Sequence, residues 1–259
     1  MAVEACPPVT SIRDLDCVSE IYDPETGTVS RTTFYTSAPN DTLYAGEVAK
    51  PRDAIALPEL QAALHHVPDE DVFPPVPEGE HLTIAPLLYT KQPTVSLYDT
   101  VQDTDYLFRL LLKDAHIMER ISQDPHPNIV RYHGIRVRRG RVTGLVLDRH
   151  ERTLLSHLEA GLELANTPFM RALEAAVDHL HSLGLAHNDI NPENIMVNKR
   201  WQPVLIDFGS CRPFGERLMT AGTPGWTDEK DDRPMWSEQK HDFFALDRVR
   251  DWLKNPTFE

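Results

Sequence analysis

The most constraining feature of the chain is a short polar stretch that holds an acid and a carboxamide at fixed spacing. Residues 187–194 are H-N-D-I-N-P-E-N, and the tripeptide Asp207-Phe208-Gly209 begins thirteen positions after Asn194. The chain therefore presents Asp189, Asn194 and Asp207 in a set order. Any fold for this sequence has to account for that ordered set, because local capping explains a single Asp or Asn but not all three together.

A β-hairpin is predicted between the carboxamide and the second acid. Two β-prone runs, residues 195–197 and 204–206, flank a polar segment with the turn-forming composition N-K-R-W-Q-P. A hairpin at this place puts Asn194 at its entrance and Asp207 at its exit. We therefore expect both side chains to emerge on the same side of the molecule.

The order and spacing of these residues resemble the protein-kinase signature H-R-D-x-x-x-x-N followed by D-F-G. Four phrases, HPNIVRYHG, HNDINPENIMV, LIDFGS and GTPGWTDE, resemble those of small fungal kinase-like proteins, a divergent branch of the superfamily. The resemblance implies an ATP–magnesium site with Asp189 as the catalytic base. Phosphoryl transfer needs positioning and charge neutralisation, and carboxylate and amide oxygens suit Mg²⁺, so Asn194 and Asp207 are the predicted metal ligands.

The resemblance, together with the apolar periodicity, predicts an α+β fold. It is expected to be a bilobal protein-kinase-like fold, with a mainly β N-lobe that carries one helix and a mainly α C-lobe. Only six residues follow Leu253, so we expect the last C-lobe helices to be missing. The predicted helices cover residues 106–121, 169–183 and 242–253. The predicted domains are an N-terminal extension or elaborated part of the N-lobe (1–80), the N-lobe (81–149) and the shortened C-lobe (150–259).

The N-terminal segment allows two interpretations. Residues 19–22 and 28–35 flank a turn-like D-P-E-T-G and predict a hairpin. This hairpin either replaces the first strands of the lobe or is an appendage. In the second case, the prolines scattered between residues 39 and 86 mark a loosely ordered linker.

Two N-lobe residues are expected to bind the nucleotide by analogy with kinases, in which a strand lysine pairs with a helix acid and touches the phosphates. Lys91 ends a strand-like run at a proline, and a solvated edge lysine is an equally good interpretation. Asp114 best fits the acid position, with Glu119 as its competitor. These two acids lie about 140° apart on a helical wheel, so they cannot both face the site. Lys113 is the alternative lysine.

The region after the second acid resembles the end of a kinase activation segment. Thr223 matches the threonine that contacts the catalytic aspartate in serine/threonine kinases, and Glu229 is the candidate for the A-P-E glutamate. We expect Glu229 to pair with Arg248, Arg250 or another local cation, or else to stay in solvent. Asp242 is the candidate acid that braces the catalytic loop, the alternative being a helix N-terminal acid favoured by the helix dipole.

Several departures from the kinase pattern leave two classes of function open. No G-x-G-x-x-G occurs upstream, Asn188 replaces an arginine that grips a phosphorylated activation loop, and Asn191 replaces a lysine near the transferring phosphate. The first class is an ATP-dependent phosphotransferase that acts on a hydroxyl of a protein Ser/Thr or of a small molecule, with Asp189, Asn191 and Thr223 at the reaction centre. The second class is a pseudokinase that binds nucleotide or acts as a scaffold.

Composition bears on partners and location. The net charge is −14, from 26 basic and 40 acidic side chains, which argues against nucleic acid and anionic membranes as partners. The chain has three cysteines, and this small, odd number does not suit a disulfide framework. No secretory signal is evident at the N-terminus. We therefore expect an intracellular, cytoplasmic protein, with the nucleus as the alternative compartment.

Overall fold

The computed structural model describes residues 8–23, 25–76, 89–91, 105–218, 222–228 and 236–258. These residues form an α+β fold in which the chain divides into two compact units. Unit one comprises residues 1–84, 90–112 and 135–145, and unit two comprises residues 85–89, 113–134 and 146–259. Within the described ranges, no helix is both long and apolar enough to span a bilayer.

Unit one begins with a four-stranded antiparallel sheet whose strands follow one another in sequence order. The predicted hairpin between β1 and β2 is confirmed, and residues up to position 67 are built into the sheet instead of forming a linker. Helix α1 lies between β3 and β4, and α2 follows β4. The elements are β1 (Cys17–Tyr22), β2 (Val29–Ser37), β3 (Leu43–Val48), α1 (Leu57–Ala63), β4 (His65–Val67) and α2 (Asp69–Val72).

The next elements in the chain are a three-stranded sheet and a long helix. The sheet has the order β5-β7-β6, with β5 at Tyr89–Lys91, β6 at Tyr132–Arg138 and β7 at Arg141–Leu147. Helix α3 runs from Asp105 to Ser122, as its apolar spacing predicts. The turn between β6 and β7 falls at Arg139 and Gly140, where both residues have positive φ, a combination suited to a two-residue hairpin loop.

The four-stranded sheet shares an apolar core with α3. Leu43 and Val67 of the sheet, Val72 and Phe73 after it, and Leu107 of α3 form one buried cluster in unit one. Each of these side chains is less than 5% exposed. Apolar burial of this kind stabilises a fold by about 25 cal/mol per Å² of apolar surface removed from water.

Partly buried ion pairs also join the N-terminal segment to the β6–β7 hairpin within unit one. Asp69 accepts hydrogen bonds from Nε and Nη2 of Arg139, at 2.5 and 2.8 Å. Asp41, whose side chain is 4% exposed, accepts from Thr143 at 3.0 Å and pairs with Arg136 Nε at 2.8 Å. A buried carboxylate is stable only when its oxygens are satisfied in this way.

Unit two is mainly helical, with short antiparallel ladders. Its longest helix is α5, whose inward face is apolar and which ends before Gly184 at φ +72°, a left-handed stop that glycine adopts without strain. The order in its sheets is β11-β10-β8 and β12-β9. The elements are β8 (Arg152–Thr153), α4 (Leu154–Glu159), α5 (Asn166–Ser182), β9 (Leu185–Ala186), β10 (Ile195–Val197), β11 (Pro203–Leu205), β12 (Arg212–Pro213) and α6 (Gln239–Trp252).

Candidate active site

The polar stretch 187–194 forms the loop between β9 and β10, and its centre is Asp189. The Asp189 Oδ1 atom accepts hydrogen bonds from the backbone N of Thr223 at 2.8 Å and from its Oγ1 at 2.7 Å. The contact between Thr223 and the acid, which the sequence predicts, is thus present. Hydrogen bonds to a charged group are stronger than neutral ones, so this pair holds the carboxylate in one orientation.

Two carboxamides also donate hydrogen bonds to this carboxylate. Asn191 Nδ2 donates to Asp189 Oδ1 at 3.3 Å and to Thr223 Oγ1 at 3.1 Å. Asn194 Nδ2 donates to Asp189 Oδ2 at 3.1 Å and to its backbone O at 2.9 Å. Asn194 uses its side-chain nitrogen in these two bonds. No described residue donates a hydrogen bond to its Oδ1 atom, so this oxygen can coordinate a cation.

Asn191 also shapes the loop backbone. Its Oδ1 atom accepts from the backbone N of Glu193 at 2.9 Å and from that of Asn194 at 3.2 Å. This is an Asx turn, the local bond that Asn forms readily with its own backbone. A lysine at this position cannot accept such bonds, so Asn191 ties the loop geometry to the position of the acid.

Asp242 braces the loop from helix α6, as the sequence predicts. Its fully buried carboxylate accepts from the backbone N of His187 and of Asn188, both at 2.8 Å. A third bond comes from His181 Nε2 on α5, also at 2.8 Å. These bonds satisfy two loop N–H groups that have no ladder partner, so the alternative role as a helix-dipole acid does not account for this residue.

Asn188 has a structural role that was not predicted from the sequence. It has φ +64°, in the left-handed region that Asn tolerates better than most residues. Its Nδ2 donates to the backbone O of Ala186 at 2.8 Å and to Ser237 Oγ at 3.0 Å, and its Oδ1 accepts from His241 Nδ1 at 3.1 Å. The tolerance of Asn for positive φ was the available signal.

The second acid, Asp207, lies two positions after the end of β11. The β10–β11 hairpin is confirmed, with Ile195 opposite Leu205, and the backbone N of Ile206 donates to the backbone O of Asn194 at 3.0 Å. This bond ties the hairpin entrance to its exit. Asp207 has φ +59°, and its exposed carboxylate accepts from the backbone N of Gly209 at 3.2 Å.

The activation-segment residues next to the acid make one close contact. Gly222 has φ +73°, and a Cβ there would lie 3.0 Å from the backbone O of Asn188 and 2.6 Å from Thr227 Cγ2. Only glycine brings Thr223 this close to the loop without displacing a neighbour. Glu229 lies outside the described residues, so its pairing with a local cation stays a prediction.

The two residues predicted to bind the nucleotide, Lys91 and Asp114, belong to different units. Lys91 is the half-buried last residue of β5, in unit one. A Cβ on Gly144 would lie 2.5 Å from the Lys91 backbone O, so β5 approaches β7 closely because position 144 is glycine. Asp114, in unit two, is 8% exposed, whereas Glu119 and Lys113 are exposed. Burial favours Asp114 over Glu119, and its pairing with Lys91 stays a prediction.

A groove of about 530 Å³ borders the loop within unit two. It begins at Asn191 and Thr223, whose amide and hydroxyl contact the acid. Its far wall is aromatic and charged, formed by Trp226, Trp252, Arg248 and Asp251. The site thus combines an oriented carboxylate, an exposed second acid, a free amide oxygen and an adjoining groove.

The region that contains the loop 187–194 is similar to known proteins. A family model described as the protein kinase domain matches residues 95–228, just over half of the 259 residues. The chain belongs to the protein kinase superfamily. It has the α+β kinase fold, in which a β-rich N-lobe accompanies a mainly helical C-lobe.

Curated kinases from several organisms are similar over about half of this chain. The serine/threonine-protein kinase/endoribonuclease IRE1 of Hypocrea jecorina is 31% identical over 157 residues, 52% of this chain and 12% of that protein. The serine/threonine-protein kinase SSK22 of Saccharomyces cerevisiae is 29% identical over 130 residues, 49% of this chain and 10% of its own length. The human dual specificity testis-specific protein kinase 2 is 28% identical over 147 residues, 52% of this chain and 25% of that kinase. The kinase-like chain thus spans a quarter or less of these relatives.

Proposed function

We propose that the chain transfers the γ-phosphate of ATP to a hydroxyl group, with Asp189 as the catalytic base. The observation that carries the proposal is the orientation of the Asp189 carboxylate. Its Oδ1 is held by Thr223 and Asn191, whereas Oδ2 has only Asn194 as a partner among the described residues. Oδ2 therefore keeps a lone pair for the acceptor hydroxyl.

The reaction needs one proton transfer and one exchange of bonds to phosphorus. Asp189 Oδ2 takes the hydroxyl proton while the hydroxyl oxygen forms a bond to the γ-phosphorus. The bond from that phosphorus to the β–γ bridging oxygen breaks, and ADP leaves. A base fixed within hydrogen-bond reach contributes about 10²–10⁴-fold to such a rate.

Magnesium fits the donor atoms of this chain. The free Oδ1 of Asn194 and the exposed carboxylate of Asp207 are hard oxygen donors, and the bond between Ile206 and Asn194 keeps the two ends of the hairpin together. When bound, Mg²⁺ neutralises the charge of the nucleotide phosphates. We assign Lys91 to the phosphates and Asp114 to the orientation of Lys91, by analogy with the kinase pattern.

The acceptor is proposed to be a protein serine or threonine, with a small-molecule hydroxyl as the alternative. The names of the relatives IRE1 and SSK22, both serine/threonine-protein kinases, support the protein acceptor. The groove beside Asn191 and Thr223 has a volume of about 530 Å³, which is room for a peptide side chain. We further propose that residues 1–80 act as part of the N-lobe and that the protein acts in the cytoplasm.

The test separates nucleotide binding from chemistry. ATP with Mg²⁺ should raise the melting temperature of the whole chain, since a ligand that binds only the native state stabilises it. Asp189→Asn should keep this shift and lose phosphate transfer. Asp207→Asn should weaken both, because it removes a charged metal ligand. Equal phosphate transfer by the parent chain and Asp189→Asn would refute the role of the base.

A pseudokinase is the second candidate. Two observations favour it: the sequence has no G-x-G-x-x-G upstream of the loop, and Asn191 contributes a neutral amide that is engaged by Asp189 and Thr223. Loss of one preorganised donor typically costs about 10²–10³ in rate. The absence of any melting shift at millimolar ATP and Mg²⁺ would favour a scaffold over an enzyme.

A further inference from the structure

A second groove, of about 610 Å³, lies in unit two at the tip of the β10–β11 hairpin. One wall is the hairpin tip, and the other is the segment that leads through β8 into α4. None of its lining residues lines the groove beside Asn191 and Thr223. The lining includes Arg149, His150, Arg152, His157, Lys199 and Trp201.

This groove is basic on a strongly acidic protein. Arg149, Arg152 and Lys199 are exposed, and Glu151 is the only acid in the lining, so the formal charge there is +3 − 1 = +2. Within the described ranges none of the three cations forms an ion pair, whereas Arg250 and Lys254 of the same unit both do. Burial lowers the pKa of His150, which favours its neutral form, and the three long side chains are the cations of the groove.

The groove also presents an aromatic ring from a strained position. Trp201 has φ +60°, where Gly or Asn is usual, yet its side chain is 52% exposed. Asn198 fixes this turn, because its Oδ1 accepts from the backbone N of Arg200 at 2.8 Å and of Gln202 at 3.1 Å. The Trp201 ring meets the buried His157 ring edge to face, with centroids 4.9 Å apart.

Neither stability nor solubility explains this combination. A bulky residue with positive φ destabilises the fold by about as much free energy as one hydrogen bond contributes. An exposed indole also adds apolar surface to the turn. A rigid, half-exposed aromatic ring beside unpaired cations is, however, a suitable surface for an anionic ligand that also carries an apolar group. Strain at a fixed turn is frequent where a side chain has a binding role.

We propose that this groove binds a short acidic peptide segment of a partner protein, with carboxylates against the three cations and an apolar side chain on Trp201. Charge complementarity favours a peptide over nucleic acid. At physiological ionic strength the screening length is about 8 Å, so the peptide residues that lie in the groove experience mainly its three cations. A long polyanion would continue over the surface of a chain whose net charge is −14.

The test measures binding of labelled peptides to the whole chain without nucleotide, so its result does not depend on the proposed phosphate transfer. The probe is a twelve-residue Asp/Glu-rich peptide with one central Phe. A peptide of the same length with Lys in place of each acid, and a single-stranded RNA with the same net charge as the probe, are the comparisons. We expect the acidic peptide to bind best, with an affinity that falls as salt rises.

Two sets of variants identify the groove. Reversing Arg149, Arg152 and Lys199 to Glu should weaken the acidic peptide about tenfold or more, the loss expected for three exposed ion pairs. The matched control reverses three exposed cations outside the groove, Arg13, Arg171 and Arg217. Both triple variants carry the same net charge, −14 − 6 = −20. The control should bind within about twofold of the parent, since distant exposed charges are screened.

Trp201→Asn tests the aromatic contact separately. Asn tolerates positive φ, which offsets the loss of the ring contact with His157, so the melting temperature should change little while peptide affinity falls several-fold. Trp236→Asn, at another half-exposed indole, should leave affinity unchanged. Equal binding by both triple variants, failure of the acidic peptide to bind the parent at low salt, or tighter binding of the RNA than of the peptide would each overturn the proposal.

Discussion

Gly222 offers a sharp test of how the acid is held. Gly222→Ala forces a left-handed residue to carry a Cβ, which costs about 1 kcal/mol. The new atom would also lie 3.0 Å from the Asn188 backbone O and 2.6 Å from Thr227 Cγ2. Relief of such overpacking adds about 1–3 kcal/mol. We expect a total loss of about 2–4 kcal/mol, or about 5–15 °C in melting temperature for a chain of this size.

Gly225→Ala is the matched control for this experiment. Gly225 lies three positions away with φ +80°, but a Cβ there would meet nothing within 4 Å. Its variant carries the backbone cost alone, so we expect a loss of about 1 kcal/mol, or about 2–4 °C. The comparison between the two variants thus isolates the clash against the catalytic loop from the intrinsic preference of glycine.

Activity should separate the two variants further. Displacement of position 222 moves Thr223, whose N and Oγ1 both donate to Asp189. A hydrogen bond to a charged group is worth about 1.5–3 kcal/mol, so phosphate transfer should fall about tenfold or more in Gly222→Ala. It should change little in Gly225→Ala. If melting temperature and transfer rate are the same in both variants, Gly222 does not hold Thr223 against the acid.

Three further perturbations have defined outcomes. Asp242→Ala removes three buried hydrogen bonds and should lower the free energy of unfolding, measured with denaturant, by about 4 kcal/mol. The control, Asp247→Ala at an exposed position of the same helix, should lower it by less than about 0.5 kcal/mol. Equal losses in the two variants would contradict the role of Asp242 as a brace. Burial raises the pKa of the Cys211 thiol, so iodoacetamide at pH 8 should label half-buried Cys17 in the native protein and leave Cys211 unlabelled, as peptide mass spectrometry would report. Burial lowers the pKa of His126 below its usual 6.5, so its contribution to stability is complete above about pH 6.5 and declines below it, as the unfolded chain takes up the proton first. His126→Gln should therefore lose less melting temperature between pH 7 and 5.5 than the parent, and an equal or greater loss would refute this sign.

The sequence predicts the parts of the site that depend on local pattern. Helix α5 follows from its apolar spacing, and the β10–β11 hairpin follows from two β-prone runs around a polar turn. The brace by Asp242 was predictable because the acid begins an apolar helix in a kinase-like order. For the helix and the hairpin the determining residues lie within about twenty positions of one another, whereas the brace joins residues 54 and 55 positions apart and was predicted from the kinase order alone.

Long-range arrangements were harder to predict. The four-stranded sheet of unit one pairs β3 with β4 across α1, and proline content in that region favoured a linker as much as a strand. The double role of Asn191 was also missed in part: its bond to Thr223 joins residues 32 positions apart. The need for glycine at position 222 arises from the Asn188 backbone O and Thr227 Cγ2, which lie close to it in the fold. No local sequence pattern predicts these contacts.

The shared core of unit one has a practical consequence for anyone trimming this protein. The kinase family match begins at residue 95, yet Leu107 packs against Leu43, Val67 and Phe73 from far upstream. A recombinant fragment cut at residue 95 would bring that leucine into water and deprive Arg139 of Asp69. Such a fragment would tend to aggregate during expression, although it contains every residue assigned to phosphate transfer except Lys91.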